Sequence, residues 1–241
     1  MPPPEELLIR IINHLAERIK NRLVLKGGML LRLYRSPRST QDVDFVLLSE
    51  ESKKKLQAML VKSLETLEGV RIEAINLNSR GIFIDVTDRK QKALIEVTVL
   101  PSMRLPSEPL STAALSEKYS LGGRIVSTMA IPEAFAHKIA AALERDAVRD
   151  LFDLSQLEAM GPLFDAGTLS QRLAQFSINR SKPKSINTIE AANLLKKRLG
   201  KLDQKRIATE LHPLLPPEYH TGILGIIRAS VGRIIQRLEN L

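Results

Sequence analysis

The sequence predicts an α+β fold, a small mixed sheet with helices followed by a C-terminal helical bundle. Three observations predict it. Helical periodicity opens the chain, short runs rich in Val, Ile and Thr follow between residues 42 and 99, and the pattern turns helical from Pro132 onward. Two domains are expected, residues 1–130 and residues 131–241.

Taken in order, Leu7, Leu8, Ile11, Ile12, Leu15 and Ile19 repeat at helical spacing over residues 5–20 and predict an amphipathic helix. Gly27-Gly28 opens a second helix through about Tyr34. Asp42–Leu48, apolar and β-branched, is the expected first strand. Ser49 is placed to cap the next helix, with Glu50 and Glu51 in its first turn. Segments 70–77, 81–87 and 92–99 predict further strands, with Asn78-Ser79-Arg80-Gly81 as a turn. Residues 101–122, rich in Pro and Ser, predict a loop leading to a short segment around Arg124–Val126. Pro132 suits the first turn of a helix, while Ser181–Ser185 and Pro213–Pro217 read as breaks between later helices.

Composition narrows the function classes. At 241 residues with 44% hydrophobic and 26% charged residues, the chain has ample material for a core. It has no cysteine, so thiol catalysis, disulfides and cysteine-ligated zinc are excluded. No leader pattern opens the chain and no apolar run spans a bilayer, so a cytoplasmic protein without membrane contact is expected. Residues 168–241 carry 13 Lys and Arg against 5 Asp and Glu, whereas the first 167 residues hold 23 against 22. That asymmetry suggests that the last third meets a polyanion such as RNA. The four histidines show no metal-ligand spacing, and neither a phosphate loop with Gly-Lys-Ser/Thr nor a Gly-x-Ser-x-Gly elbow occurs.

The chemistry concentrates at Lys26-Gly27-Gly28 and, 13 residues on, Asp42-Val43-Asp44-Phe45. On a strand Asp42 and Asp44 point to one face, where two adjacent carboxylates repel unless a counter-charge joins them. A divalent metal is the usual remedy, and Mg²⁺ takes one or two carboxylates plus substrate phosphate oxygens. The glycines allow backbone N–H groups close to an anion, beside the point charge of Lys26. Glycine pair, helix and Asp-x-Asp together suit a metal-bound nucleoside triphosphate.

These residues also carry a resemblance. Leu25-Lys26-Gly27-Gly28-Met29-Leu30, Arg35, Arg38-Ser39-Thr40 and Asp42-Val43-Asp44-Phe45 resemble the opening signature of the AbiEii/AbiGii toxin family. These are nucleotidyltransferase-like proteins of the polymerase-beta superfamily, found in type IV toxin–antitoxin and abortive-infection systems and including MenT toxins. Lys138–Arg145 and Arg149-Asp150-Leu151-Phe152-Asp153-Leu154 resemble the family's later motifs. The resemblance covers roughly residues 20–160.

It implies a polymerase-beta-like core in residues 1–130 and a helical domain that completes the active site and carries the basic surface. Asp42 and Asp44 would hold Mg²⁺ or Mn²⁺. A third acid is expected from a neighbouring strand; Glu96 is preferred and Asp85 competes with it. Lys138 would serve the triphosphate, with Arg145 on the same helix face and Arg38 or Arg35 as further phosphate contacts. Asp150, ahead of Asp153, would position the nucleotide or the acceptor. One departure stands out, since Gly28-Met29 replaces the Gly-Ser of classical nucleotidyltransferases and no serine hydroxyl meets the phosphate there. The activity implied is NMP transfer from an NTP to RNA, most plausibly a tRNA 3′ end, with toxic effect and a cognate antitoxin partner. Transfer onto a protein side chain, and a binding module without catalysis, are the alternatives.

Overall fold

The computed structural model describes residues 4–161, 165–176 and 184–241, so residues 181–183 of the expected break at Ser181–Ser185 lie outside the described residues. The chain divides into two compact units, Met1–Ala130 and Ile131–Leu241. Together they form a mixed α/β protein with a seven-stranded sheet and a helical C-terminal region.

The first unit is built on that sheet. Its strands are β1 (Leu23–Lys26), β2 (Asp42–Leu48), β3 (Arg71–Leu77), β4 (Ile82–Thr87), β5 (Lys92–Leu100), β6 (Glu108–Ser111) and β7 (Ile125–Thr128). Their spatial order is β3-β4-β5-β2-β1-β7-β6. The pairs β2–β5 and β1–β7 run parallel and the other neighbours antiparallel. Helix α1 (Glu5–Ile19) buries Leu7, Leu8, Ile11, Ile12 and Leu15 completely, and α3 (Lys53–Leu64) does the same with Leu56, Leu60 and Leu64. Fully burying one such side chain contributes about 1.5–3 kcal/mol, so these two stripes are a main source of the unit's stability.

Both sheet edges are blunted. In β3 the register shifts between Ile72 and Ala74, a bulge that disturbs the edge, and β6 carries Pro109, which has no N–H to offer a further strand.

Three expectations are corrected here. Asp42–Leu48 is the second strand, because Leu23–Lys26 forms an earlier one. Leu23, Val24 and Leu25 are all buried, so β1 lacks the alternation that marks a half-buried strand. Ser52, not Ser49, caps α3, its side chain accepting from the Lys55 N–H. Ser49 still donates its backbone N–H to the Leu100 carbonyl at the end of the sheet, and its hydroxyl takes the Glu51 N–H instead. Finally, the loop expected at 101–122 contains β6 and a helical turn, α4 (Ala113–Ser116). The Thr112 hydroxyl anchors that turn by accepting the Arg124 N–H and donating to Asn13.

The second unit is helical: α5 (Ile131–Glu144), α6 (Val148–Ala159), α7 (Ala166–Ala174), α8 (Thr188–Gly200), α9 (Gln204–Glu210) and α10 (Ile223–Glu239). Asp165, Asn187 and Asp203 cap α7, α8 and α9, and Asn187 with Glu190 forms a reciprocal capping box. Between α9 and α10, Pro213, Pro216 and Pro217 hold short 3₁₀ turns, and His212 stacks on His220 with centroids 3.9 Å apart. No helix among the described residues is long and apolar enough to cross a membrane.

Ion pairs lock the helices together. Arg233 of α10 donates to both oxygens of Glu158 of α6 at 2.8 and 2.6 Å, and Arg237 reaches the same carboxylate at 3.4 Å. The hydrogen bonds from Arg233 hold the Glu158 carboxyl below its usual value of 4.5. A depressed folded-state pKa stabilises fully above the unfolded value and loses that stabilisation as pH falls through the folded one. At neutral pH Glu158→Gln should therefore melt below the parent, and the gap should close as pH is lowered from 5 to 3. Parallel melting curves that never converge would assign the α6–α10 clamp to packing alone.

The same pairing bears on the basic last third. Arg172, Lys196, Arg198, Arg206, Arg233 and Arg237 each pair with a carboxylate of this unit, namely Glu144, Glu239, Asp146, Glu210 or Glu158. Counted by unit, residues 1–130 hold 20 Lys and Arg against 15 Asp and Glu, and residues 131–241 hold 16 against 12. The charge asymmetry of the linear sequence therefore disappears in the folded units.

Candidate active site

In the first unit the strand register gathers a polar row. Lys26 of β1 pairs with Asp44 of β2, Asp44 with Glu96 of β5, and Glu96 with Phe83 of β4. Directly paired residues present their side chains on the same face, with strands about 4.8 Å apart. Asp42, two residues before Asp44, shares that face and pairs with Leu94. Asp85 also lies on it, but Leu94 stands between Asp85 and Asp42, whereas Glu96 adjoins Asp44 directly. Asp42, Asp44 and Glu96 are all partly exposed. The opposite face, with Val43, Phe45, Ile95, Val97, Ile82 and Ile84, is buried core. The Asp-x-Asp pair is thus carried on a rigid strand whose other side is fixed by packing.

Two local devices shape the acids. The Thr40 hydroxyl donates to Asp42 Oδ1, and Thr40 itself is 7% exposed, so one oxygen of Asp42 is oriented from behind. Lys26, in extended conformation, leads into α2 (Gly27–Leu33), and Gly27 turns the chain with φ +71°. A Cβ at Gly27 would lie 2.0 Å from Asp44 Oδ2, so only glycine lets the backbone come this close to the carboxylate. Gly28 faces the side chains of Thr40 and Arg38, where a Cβ would meet Thr40 Oγ1 at 3.0 Å and Arg38 Nη2 at 3.1 Å. Arg38 is buried and donates to the Ser39 carbonyl at 3.0 Å, while Arg35 is exposed in a left-handed conformation. Gly27→Ala should cost about 1–2 kcal/mol in the left-handed backbone alone and displace the Asp44 carboxylate. A lower melting temperature together with at least a ten-fold loss of transferase activity is expected; a variant with parental melting and activity would deny the close approach.

The acids offer oxygen donors only, the set that suits a hard divalent cation. Among the described residues no three His, Cys, Asp or Glu side chains are drawn together to hold a metal by themselves.

The second unit brings together the other sequence-selected residues. Lys138 of α5 donates to Asp153 Oδ2 at 2.8 Å and lies 3.4 Å from Asp150 Oδ1. Arg145, just past the end of α5, grips Asp150 through Nε at 2.6 Å and Nη2 at 2.9 Å. Asp150 is wholly buried and Asp153 1% exposed, while the side chains of Lys138 and Arg145 are 12% and 52% exposed. The seven-residue spacing does place Lys138 and Arg145 where both reach one partner. They form an acid-braced cluster with Asp150 and Asp153. The Thr40–Asp42 contact was not anticipated, although a hydroxyl two residues ahead of the first acid was the available signal.

The comparisons with known proteins agree with this architecture. No curated protein matches the sequence. Among solved structures the chain is similar to MenT4, a nucleotidyltransferase toxin of Mycobacterium tuberculosis, with TM-score 0.63 and 18% identity over 97% of this chain and 85% of that one. It is also similar to a nucleotidyltransferase from H. pylori, with TM-score 0.52 and 15% identity over 97% and 95% of the two chains. An antigenic nucleotidyltransferase-like protein of Paracoccidioides brasiliensis follows at TM-score 0.50 and 16% identity, over 90% and 96%. At these identities the likeness shows the fold. The family model described as nucleotidyl transferase AbiEii toxin, type IV TA system, matches residues 10–224. The chain belongs to this AbiEii family of toxin nucleotidyltransferases, and it is a nucleotidyltransferase.

Proposed function

We propose that the protein transfers NMP from an NTP to a hydroxyl of an RNA acceptor, a tRNA 3′ end, and releases pyrophosphate. The observation that carries this is the row Lys26–Asp44–Glu96 with Gly27 pressed against Asp44, acids set beside a glycine turn and a lysine. Asp42 and Asp44 would hold Mg²⁺ or Mn²⁺, with Glu96 beside Asp44 on the neighbouring strand; the ion when bound neutralises phosphate charge and lowers the pKa of a coordinated hydroxyl. Lys26, Gly27 and Gly28 take the phosphates of the NTP, and Arg38 braces Gly28 from behind. Thr40 keeps one Asp42 oxygen oriented, leaving the other for the site.

Asp150, buried with both oxygens engaged, positions Lys138 and Arg145 within the helical unit. Residues 1–130 thus serve as the catalytic core. A cognate antitoxin would restrain the enzyme, in keeping with its family.

The test is incubation of the full chain with each α-labelled NTP, Mg²⁺, and total RNA or total protein in parallel. Label is expected in RNA at tRNA length and should disappear when the metal is chelated. Label confined to protein would replace the RNA acceptor by a side chain, and label in neither would leave the assignment without support.

A further inference from the structure

We infer that Phe83 is the seat of the acceptor's terminal nucleobase, an inference that rests on the transfer reaction proposed above. Ile82 and Ile84, its neighbours in β4, are wholly buried in the core, whereas Phe83 points to the other face and is only partly buried. An aromatic ring at the polar phase of an alternating strand is a surface available for stacking. Its place in the sheet gives it a ligand. Phe83 pairs with Glu96, which pairs with Asp44, so the ring lies two strands, about 10 Å, from the Asp-x-Asp acid.

The direction matters as much as the distance. Lys26 and Gly27 stand on the β1 side of Asp44, and Phe83 on the β5–β4 side. Phosphoryl transfer is roughly in line, so the attacking hydroxyl approaches opposite the departing pyrophosphate. With the phosphates on the glycine side, the acceptor arrives from the side of Phe83. Its hydroxyl oxygen bonds to the α-phosphorus, the bond from that phosphorus to the bridging oxygen breaks, and the hydroxyl proton passes to the carboxylates of the row.

Charge selects which part of the acceptor rests there. The exposed Asp85 lies two residues along β4 on the same face as the ring. A backbone phosphate would be repelled, whereas the uncharged base of a terminal nucleoside stacks without penalty and with little dependence on sequence. Asn76, exposed and paired with Phe83 from β3, extends the polar rim of the platform.

The experiment uses the full chain. Phe83→Ala and Phe83→Leu, each checked by thermal melting, should raise KM for the RNA acceptor about ten-fold while leaving KM for the NTP within two-fold. Leucine keeps the apolar volume but lacks the π-face, so it separates stacking from packing. Because the chain contains no tryptophan, Phe83→Trp provides a single tryptophan whose selectively excited emission should be quenched by a short single-stranded RNA without NTP. Folded Ala and Leu variants with parental acceptor KM, or a Trp signal indifferent to RNA, would overturn the inference. Quenching in a protein that labels no RNA would instead count against the transfer reaction and leave the platform standing.

Discussion

Replacing Asp44 by Asn is expected to lower NMP transfer by about a thousand-fold, equivalent to about 4 kcal/mol of transition-state stabilisation. Asp44 is the centre of the row, adjoining Lys26 on one side and Glu96 on the other, and the Gly27 backbone rests on its carboxylate. Asparagine keeps the shape and removes the charge, so a divalent ion would lose its strongest ligand while strand packing is untouched. Melting should stay within about 2 °C of the parent, because the core face of β2 is unchanged. The measurement is initial-rate transfer of labelled NMP by both proteins across a Mg²⁺ titration. Equal activity at saturating metal would move the metal site away from β2.

Asp150→Ala is expected to have the largest effect on stability, about 3 kcal/mol, or some 6–12 °C of melting temperature. Removing this buried carboxylate takes a partner from each of two cations. Lys138, 12% exposed, is left with Asp153, and Arg145 loses both hydrogen bonds to its bidentate acceptor. Half of the Arg145 side chain is in water, which is why the lower end of the range for a broken buried pair is adopted. Asp153→Asn should cost less, because it leaves the bidentate Arg145–Asp150 pair intact. Chemical denaturation of the three proteins gives the ranking, and an Asp150→Ala protein as stable as the parent would mean that the cluster does not brace α5 against α6.

Much of the fold was legible where one physical signal dominates. The stripe of α1, the glycine turn before α2, the strands on either side of Asn78–Gly81 and the Pro132 helix start all appear within a residue or two of their sequence-derived bounds. Each rests on local chemistry: helical spacing of apolar residues, an absent Cβ, β-branched alternation, a fixed proline φ. The failures share a cause. Strand β1 is covered on both faces and shows no alternation, and Ser49 follows a chain still bonded into the sheet, so its capping potential was diverted. The basic last third was visible as a count, but its partners Glu144, Asp146 and Glu158 lie just upstream in sequence and became neighbours only on folding.

By itself, then, the sequence determined which residue types could do chemistry and the family to which they belong, because Lys-Gly-Gly, Asp-x-Asp and the Lys–Arg and Asp–Asp spacings are local patterns. Only the tertiary structure decided who stands beside whom. Glu96 adjoins Asp44 and Asp85 does not, Thr40 orients Asp42, and Asp150 is enclosed by Lys138 and Arg145. The physical reason is that strand register and helix packing are set by the burial of apolar faces that belong to distant segments. The polar rows on the opposite faces follow from where those faces settle.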